Sequence, residues 1–373
     1  MVCSPNIVAV DLSALGANLD QARSLVGPET KIMGVVKSDA YGHGLIPVSR
    51  KLEDKGVFSL GVAHLEEGLD LRRNGIRCPV VVLCGIRGRE EACAAVREHL
   101  TPVLYDLETA ALLADECSRD GKKLNVQVKV DTGMGRLGVD PGEMGAFLRR
   151  MTDFKTLRME GLTSHLASAD EHSTEYTTRQ IARFRRAIAT ARSMGIDLPL
   201  NNLANSAGMI RYAASHFDMV RPGIMLYGGL PSPDYAGPAS LKPVMHFKGR
   251  ILQVRDMPAN APVSYGRTYH TPGPQRIAVL SAGYGDGLPR SLSNTGKVLV
   301  RGRRCDILGT VCMNMVMCDA SGVAGVEPGE EVVFLGSQGD ETITGDELAG
   351  WSGTISYEIF CSIGLRHSRE YSP

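Results

Sequence analysis

Residues 31–44 read KIMGVVKSDAYGHG, an apolar run of strand length that ends at Val36 and passes at once into Lys37 and a glycine-bearing turn. A run of this kind, bounded by turn residues, reads as a buried strand. The pattern recurs: the intervals 31–36, 58–62, 79–83, 101–105, 124–130, 158–164, 198–203 and 218–221 all have strand character. Between them, 63–74, 107–119 and 174–194 carry apolar residues at three- and four-residue spacing, the period of a helix with one buried face. Asp11 and Asp106 stand where helix N-caps are expected. A series of βα units with eight strands predicts a parallel sheet closed as a (β/α)8 barrel, with an open doubly wound sheet as the competitor.

The pattern changes across GGLPSPDYAGPASLKP, residues 228–243, whose Gly and Pro density marks a domain boundary, placed at 238/239. Short strands at 244–254, 275–281, 297–300, 305–308 and 331–335, separated by Gly-rich turns with few convincing helices, predict a smaller, mostly β domain over 239–373. A chain of 373 residues suits two such domains. Its 41 Lys plus Arg balance 41 Asp plus Glu, so no net field favours nucleic acid or an anionic membrane surface. No apolar run is long enough to span a bilayer, and MVCSPNIVAV does not read as a signal peptide. Nine Cys, none in a C-x-x-C pair, argue against a zinc site or disulfide framework and point to a reducing cytoplasm.

In such barrels the loops that follow the strands build the active site. Lys37 follows the first predicted strand, Arg136 lies in DTGMGRLG after the fifth, and His165 ends the sixth. Asn205-Ser206 follow the seventh, and Arg221-Pro222-Gly223 close the eighth. One charged residue on a rim means little; five reactive or anion-binding groups on the same rim form a constellation. Directly after an apolar strand, the Lys37 ammonium would be partly desolvated, which favours a nucleophilic, Schiff-base lysine; a solvated loop lysine is the bland alternative. Tyr41 offers a hydroxyl to an anion. Gly133 to Gly138 match G-x-G-x-x-G, but so deep in the βα series that a loop presenting Arg136 to a carboxylate is the better reading than a dinucleotide site. Ser206 with the backbone N–H groups of Gly223 and Ile224 would cradle a phosphate, as barrels do after strands seven and eight; a helix cap at Ser206 is compatible with that role. His165 and His172, seven apart around Asp170 and Glu171, do not make a metal motif, so no metal is expected. In the second domain VSYGRTY, AGYGDG and SYE, carrying Tyr265, Tyr284 and Tyr357, read as tyrosine loops lining a site, in a chain with only 5% aromatics.

With these residues assembled, the chain resembles the pyridoxal-phosphate-dependent alanine racemase family over essentially its whole length. VVKSDAYGHG is close to that family's cofactor-lysine signature, and KVDTGMGRLG, NNLANSAG, RPGIMLYG, VSYGRTY and GYGDGLPR follow in the family's order. The resemblance implies interconversion of L- and D-alanine, a supply of D-alanine for peptidoglycan, and a homodimer with shared active sites. Lys37 would bind pyridoxal phosphate covalently and act as one base. Tyr265, reaching in from the partner subunit, would be the opposite base. Arg221 would pair with the pyridine nitrogen, with His165 between Arg221 and Tyr265, the two read as a cationic network. Tyr41, Ser206, Gly223, Ile224 and Tyr357 would hold the cofactor's phosphate, Asn205 and His165 would also be cofactor-binding, and Arg136 with the partner's Met313 backbone would hold the substrate carboxylate. Lys129 matches a lysine that is often carbamylated in the family, orienting Arg136.

Two positions depart from the family pattern: Thr310 stands where many members have Arg, and Asn314 where they have Asp. Both are expected near the substrate entrance, which motivates a second reading as a serine or broad-specificity racemase. Tyr357, retained, argues for a small side chain. A non-catalytic pyridoxal-phosphate homeostasis protein is a third reading, but such proteins are single-domain and lack a counterpart of Tyr265.

Overall fold

The computed structural model describes residues 4–232 and 241–373. Seven strands run parallel in one curled sheet: Lys31–Val35, Ser59–Val62, Val80–Val82, Thr101–Leu104, Leu124–Lys129, Leu157–Thr163 and Met219–Val220, the last pairing back onto the first. The remaining gap is closed by a single residue. Asn202 bridges Thr163 on one side and Met219 on the other, so the expected strand at 198–203 shrinks to one rung. Pro199 brings no N–H to a ladder, and Asn201 substitutes its side chain for backbone pairing: its Oδ1 accepts from Leu162 N at 3.1 Å.

Helices pack outside this ring, and their starts follow from local chemistry. Asp11 Oδ1 accepts from Ala14 N at 2.8 Å and Asp106 Oδ1 from Thr109 N at 2.7 Å, capping Leu12–Ser24 and Leu107–Arg119 as the sequence predicts. Each cap satisfies a donor that the first turn leaves open.

The second sheet is antiparallel over most of its nine strands, and Glu331–Gln338 also pairs with Met245–Met257, which curls six of the strands into a closed ring. Its membership crosses the sequence division. Ile7–Asp11, assigned from sequence to the barrel region 1–238, pairs instead with Met245–Met257 and with Arg369–Ser372. The alternation of buried Val8 and Val10 with partly exposed neighbours is a strand signal that a search for βα units passes over. The boundary placed at 238/239 lies outside the described residues. Two helices also stand where turns were expected: Gly345–Ser352, opened by a reciprocal Thr344–Glu347 capping box, and Ser356–Gly364. The second returns to the barrel, where Gly364 meets Gly42 so closely that a Cβ at Gly364 would lie 1.9 Å from Gly42 O.

Candidate active site

A cavity of about 280 Å³ opens at the carboxyl ends of the barrel strands, and Lys37 projects into it. The backbone after Lys37 is unusual. Ser38, Asp39, Ala40 and Tyr41 all have φ between 53° and 55°, forming a left-handed turn without a glycine until Gly42. Each L-residue in this conformation costs roughly 1–2 kcal/mol, so tertiary contacts must hold it. Glu67 Oε1 accepts from Ser38 N at 2.5 Å, Asp39 Oδ1 accepts from Leu45 N at 2.6 Å, and Arg369 binds both Asp39 Oδ2 and Gly42 O. The turn aims Lys37 and Tyr41 into one cavity. Burial, and then the Arg136 charge, hold the Lys37 amine below the ordinary lysine range.

Tyr41, Ser206, Gly223, Ile224 and Tyr357, expected from sequence to hold a phosphate, all line this cavity. Tyr41 is buried, stacked on Tyr227 at 4.8 Å between centroids, with Tyr357 at 5.8 Å. Gly223 is required here because a Cβ would lie 2.4 Å from Tyr41 Oη. Its N–H donates to Ser206 Oγ at 2.9 Å, which turns the serine's own proton toward another acceptor. The cap of helix Ser206–Arg211 is Asn205, whose Oδ1 accepts from Gly208 N at 2.9 Å, leaving the Ser206 hydroxyl out of that role. Tyr357 sits in the first turn of Ser356–Gly364, not on the loop expected for it.

Arg221 forms the floor. It is 4% exposed, and its hydrogen bonds go to neutral acceptors: Asn202 Oδ1, Ser164 O at 2.5 Å, Leu203 O at 3.2 Å and His165 Nδ1 at 3.3 Å. Burial lowers its pKa only to about 10, so it stays cationic. His165 does not share that charge. Burial, followed by Arg221 and the other cations around it, holds its pKa well below the ordinary histidine range, which corrects the expected cationic Arg221–His165 network. Lys129 is drawn down to about 7 by desolvation and then by Arg221 and Arg136. Arg136 lies on a loop organised by Asp131, whose carboxylate accepts from Gly133, Met134 and Gly135 N–H groups at 2.8–3.1 Å. Among the described residues, no ion pair or hydrogen bond engages the Arg136 guanidinium.

Tyr265 and Met313 stand apart from this cavity. Tyr265 is 72% exposed and Met313 57% exposed, and neither lines it. Thr310 is buried beneath the Tyr265 loop, its Oγ1 donating to Tyr265 O at 2.9 Å, and Asn314 Nδ2 donates to Asp286 Oδ2 at 3.1 Å. Both departures from the family pattern therefore brace the tyrosine loops of this domain. Cys84, also on the cavity wall, is not among the residues expected from sequence, although it lies two residues past the third barrel strand, on the same rim.

Fold and site together define a barrel-type enzyme whose cavity brings a desolvated lysine together with two arginines. Residues 10–231 match the family described as alanine racemase, N-terminal domain, and residues 244–371 that described as alanine racemase, C-terminal domain. An alanine racemase of Syntrophobacter fumaroxidans is 45% identical over 364 residues, covering 98% of this chain and 96% of its own. The crystal structure of alanine racemase from D-cycloserine-producing Streptomyces lavendulae superposes with a TM-score of 0.93 at 32% identity, covering 100% and 98% of the two chains. That from Bartonella henselae, with covalently bound pyridoxal phosphate, gives 0.88 at 30% identity, covering 98% and 99%. The chain belongs to the alanine racemase family.

Proposed function

We propose that the protein interconverts L- and D-alanine with pyridoxal phosphate, using Lys37 and Tyr265 of the partner subunit as opposed bases. The observation that carries this reading is the cavity shared by Lys37 and Arg221: it is lined by an amine held below its usual range and by a buried cation hydrogen-bonded to neutral groups. The residues fit the cofactor. Its phosphate would sit among Tyr41, Ser206, Gly223, Ile224 and Tyr357, near Asn205, and its ring nitrogen would face Arg221. Bound there, pyridoxal phosphate supplies an electron-withdrawing ring that makes the substrate's α-hydrogen acidic.

The chain's own groups do the rest. With its pKa lowered, Lys37 Nζ is neutral more often than a free lysine and can take or return a proton at the substrate α-carbon on one face. Tyr265 Oη of the partner subunit acts on the other face. Its exposure on this chain, on a loop braced by Thr310, suits a residue delivered across a homodimer interface. Arg136 holds the substrate carboxylate with its fork of donors, supported by the Met313 backbone of the partner subunit. Arg221, always cationic in this pocket, offers the ring nitrogen a donor and no proton acceptor. Lys129 is assigned to carbamylation: a neutral amine adds to carbon dioxide and loses a proton, which replaces a cation squeezed between two arginines by an anion that pairs with Arg136. The product D-alanine would serve peptidoglycan synthesis.

Borohydride reduction of the cofactor-loaded protein followed by peptide mapping should put the pyridoxyl label on Lys37, and alanine should be the fastest substrate in a racemisation panel. A label elsewhere, or a serine or lysine preference over alanine, would contradict this reading.

A further inference from the structure

Barrel interiors are ordinarily filled by layers of branched apolar side chains. One side of this interior obeys the rule, where Met33, Val81, Val103 and Met219 pack as a separate apolar cluster. The other side carries a polar column. Gln127 and Asn202 are fully buried, and Thr163 is 1% exposed.

The column is connected. Arg221 Nη1 donates to Asn202 Oδ1, Asn202 Nδ2 donates to Gln127 Oε1 at 3.2 Å, and Gln127 Nε2 donates to Glu160 Oε1 at 2.9 Å. Amide orientation is normally a choice, but here both ends force it. A guanidinium has donors only and a carboxylate acceptors only, so each amide must turn its oxygen toward Arg221 and its nitrogen toward Glu160. A protonated Glu160 could donate, but the Arg221 end alone still sets the direction: Asn202 Oδ1 must accept from the guanidinium, so its Nδ2 faces Gln127 Oε1 and the Gln127 nitrogen faces Glu160. Asn202 has no freedom left: Oδ1 also accepts from Thr163 Oγ1 at 2.7 Å, and Nδ2 also donates to Leu200 O at 2.9 Å.

We propose that Asn202, Gln127 and Glu160 are positioning residues, an aligned amide relay that orients Arg221 from the opposite end of the barrel. The physical advantage lies in distance. A carboxylate paired directly with Arg221 would fix the guanidinium but cancel much of its field at the cavity. Two intervening amides fix the geometry while the negative charge stays remote. The inference rests on the proposed role of Arg221 at the cofactor ring.

The test uses full-length Gln127→Leu, Glu160→Ala and Glu160→Gln variants, measuring the pyridoxal phosphate dissociation constant by absorbance, thermal midpoint, and the Arg221 conformation by crystallography. A lost hydrogen bond in a charge-terminated chain predicts a roughly tenfold weaker cofactor affinity for Gln127→Leu, with a displaced Arg221 side chain. Glu160→Ala should shift both readouts in the same direction, and Glu160→Gln, which keeps an oxygen acceptor, should restore them. If Gln127→Leu does not fold, the Glu160 pair decides, since Glu160 is only partly buried. Unchanged affinity and an unmoved Arg221 alongside a lowered thermal midpoint would overturn the relay and leave a structural column. Wild-type protein that binds cofactor without racemising alanine would refute the proposed function, while the affinity and crystallographic readouts still decide the relay. If the wild type binds no cofactor, the Arg221 position alone decides it.

Discussion

His165 Nδ1 lies 3.3 Å from Arg221 Nη2, and because a guanidinium can only donate, that ring nitrogen must accept. The proton of neutral His165 is therefore on Nε2. Lowered pKa and imposed tautomer agree, so the site holds one buried cation and one neutral ring where two cations were expected from sequence.

A second buried histidine makes the acid behaviour of the fold testable. His43 stacks on Tyr227 at 4.6 Å, its Nδ1 faces the Ala40 and Tyr41 carbonyls, and burial pushes its pKa down to about 3. The unfolded chain gains a proton at His43 below about pH 6.5 while the native state does not until about pH 3, so stability falls as pH drops through that window. The His43 contribution is about 2 kcal/mol at about pH 5. Thermal midpoints recorded across this range should fall more steeply for wild type than for His43→Gln. Parallel slopes would show that His43 is not buried neutral.

Gly223 tests the cradle sterically. Its φ of −121° is not left-handed, but its ψ of −91° lies outside the helical and extended regions, so the backbone disfavours a side chain there as well as the space. Gly223→Ala drives a methyl against Tyr41 Oη and should weaken cofactor binding by tenfold or more while moving the thermal midpoint by only a few degrees. Tyr41→Phe in the same chain removes the nearest clashing atom and should recover part of the loss, although Tyr41 Cζ would still lie 3.1 Å from the new Cβ. No recovery in the double variant, measured by absorbance titration, would place the defect elsewhere.

Much of this architecture was legible because it is periodic. The first six barrel strands and the helix Leu107–Arg119 follow directly from apolar spacing, and the rim rule then collected Lys37, Arg136, His165, Ser206 and Arg221. What escaped is set by partners distant in sequence. Nothing local makes Ser38–Tyr41 left-handed; Glu67 and Arg369 impose it. Asn202 completes the barrel through two isolated bridges, a pairing that no strand-length pattern can signal. Ser356–Gly364 is short and opens without a side-chain cap, so it read as another tyrosine loop. The relay through Gln127 was hidden because a polar residue at an inward-facing strand position reads as a break in the pattern until its partners are known.

The sharing of sites between subunits can be tested by complementation. Lys37 lines the cavity of its own chain, whereas Tyr265 is largely exposed, so each single variant should spoil a different half of a composite site. Lys37→Ala and Tyr265→Phe homodimers should each be nearly inactive. After subunit exchange, heterodimers should regain activity at one of two sites, up to a quarter of the wild-type rate for a statistical mixture. Exchange verified by mass spectrometry with no recovery would show that Tyr265 does not act across an interface.

Lys129 offers the last test, and the most direct one for the charge balance of the cavity. Its amine, at about 7, is neutral in about half the molecules near neutral pH, and it lies in the field of Arg136 and Arg221. Both conditions favour the carbamate, the first kinetically and the second by pairing the new anion. Protein equilibrated with carbon-13 bicarbonate should show a carbamate carbon resonance that is absent from Lys129→Met. The signal should fade as pH falls well below 7, because protonation removes the nucleophile and acid decomposes the adduct. Lys129→Met should raise KM for alanine more than it lowers kcat, since the lost anion orients Arg136 and does not itself move a proton. A resonance that survives in Lys129→Met, or an unchanged KM, would remove Lys129 from the substrate site.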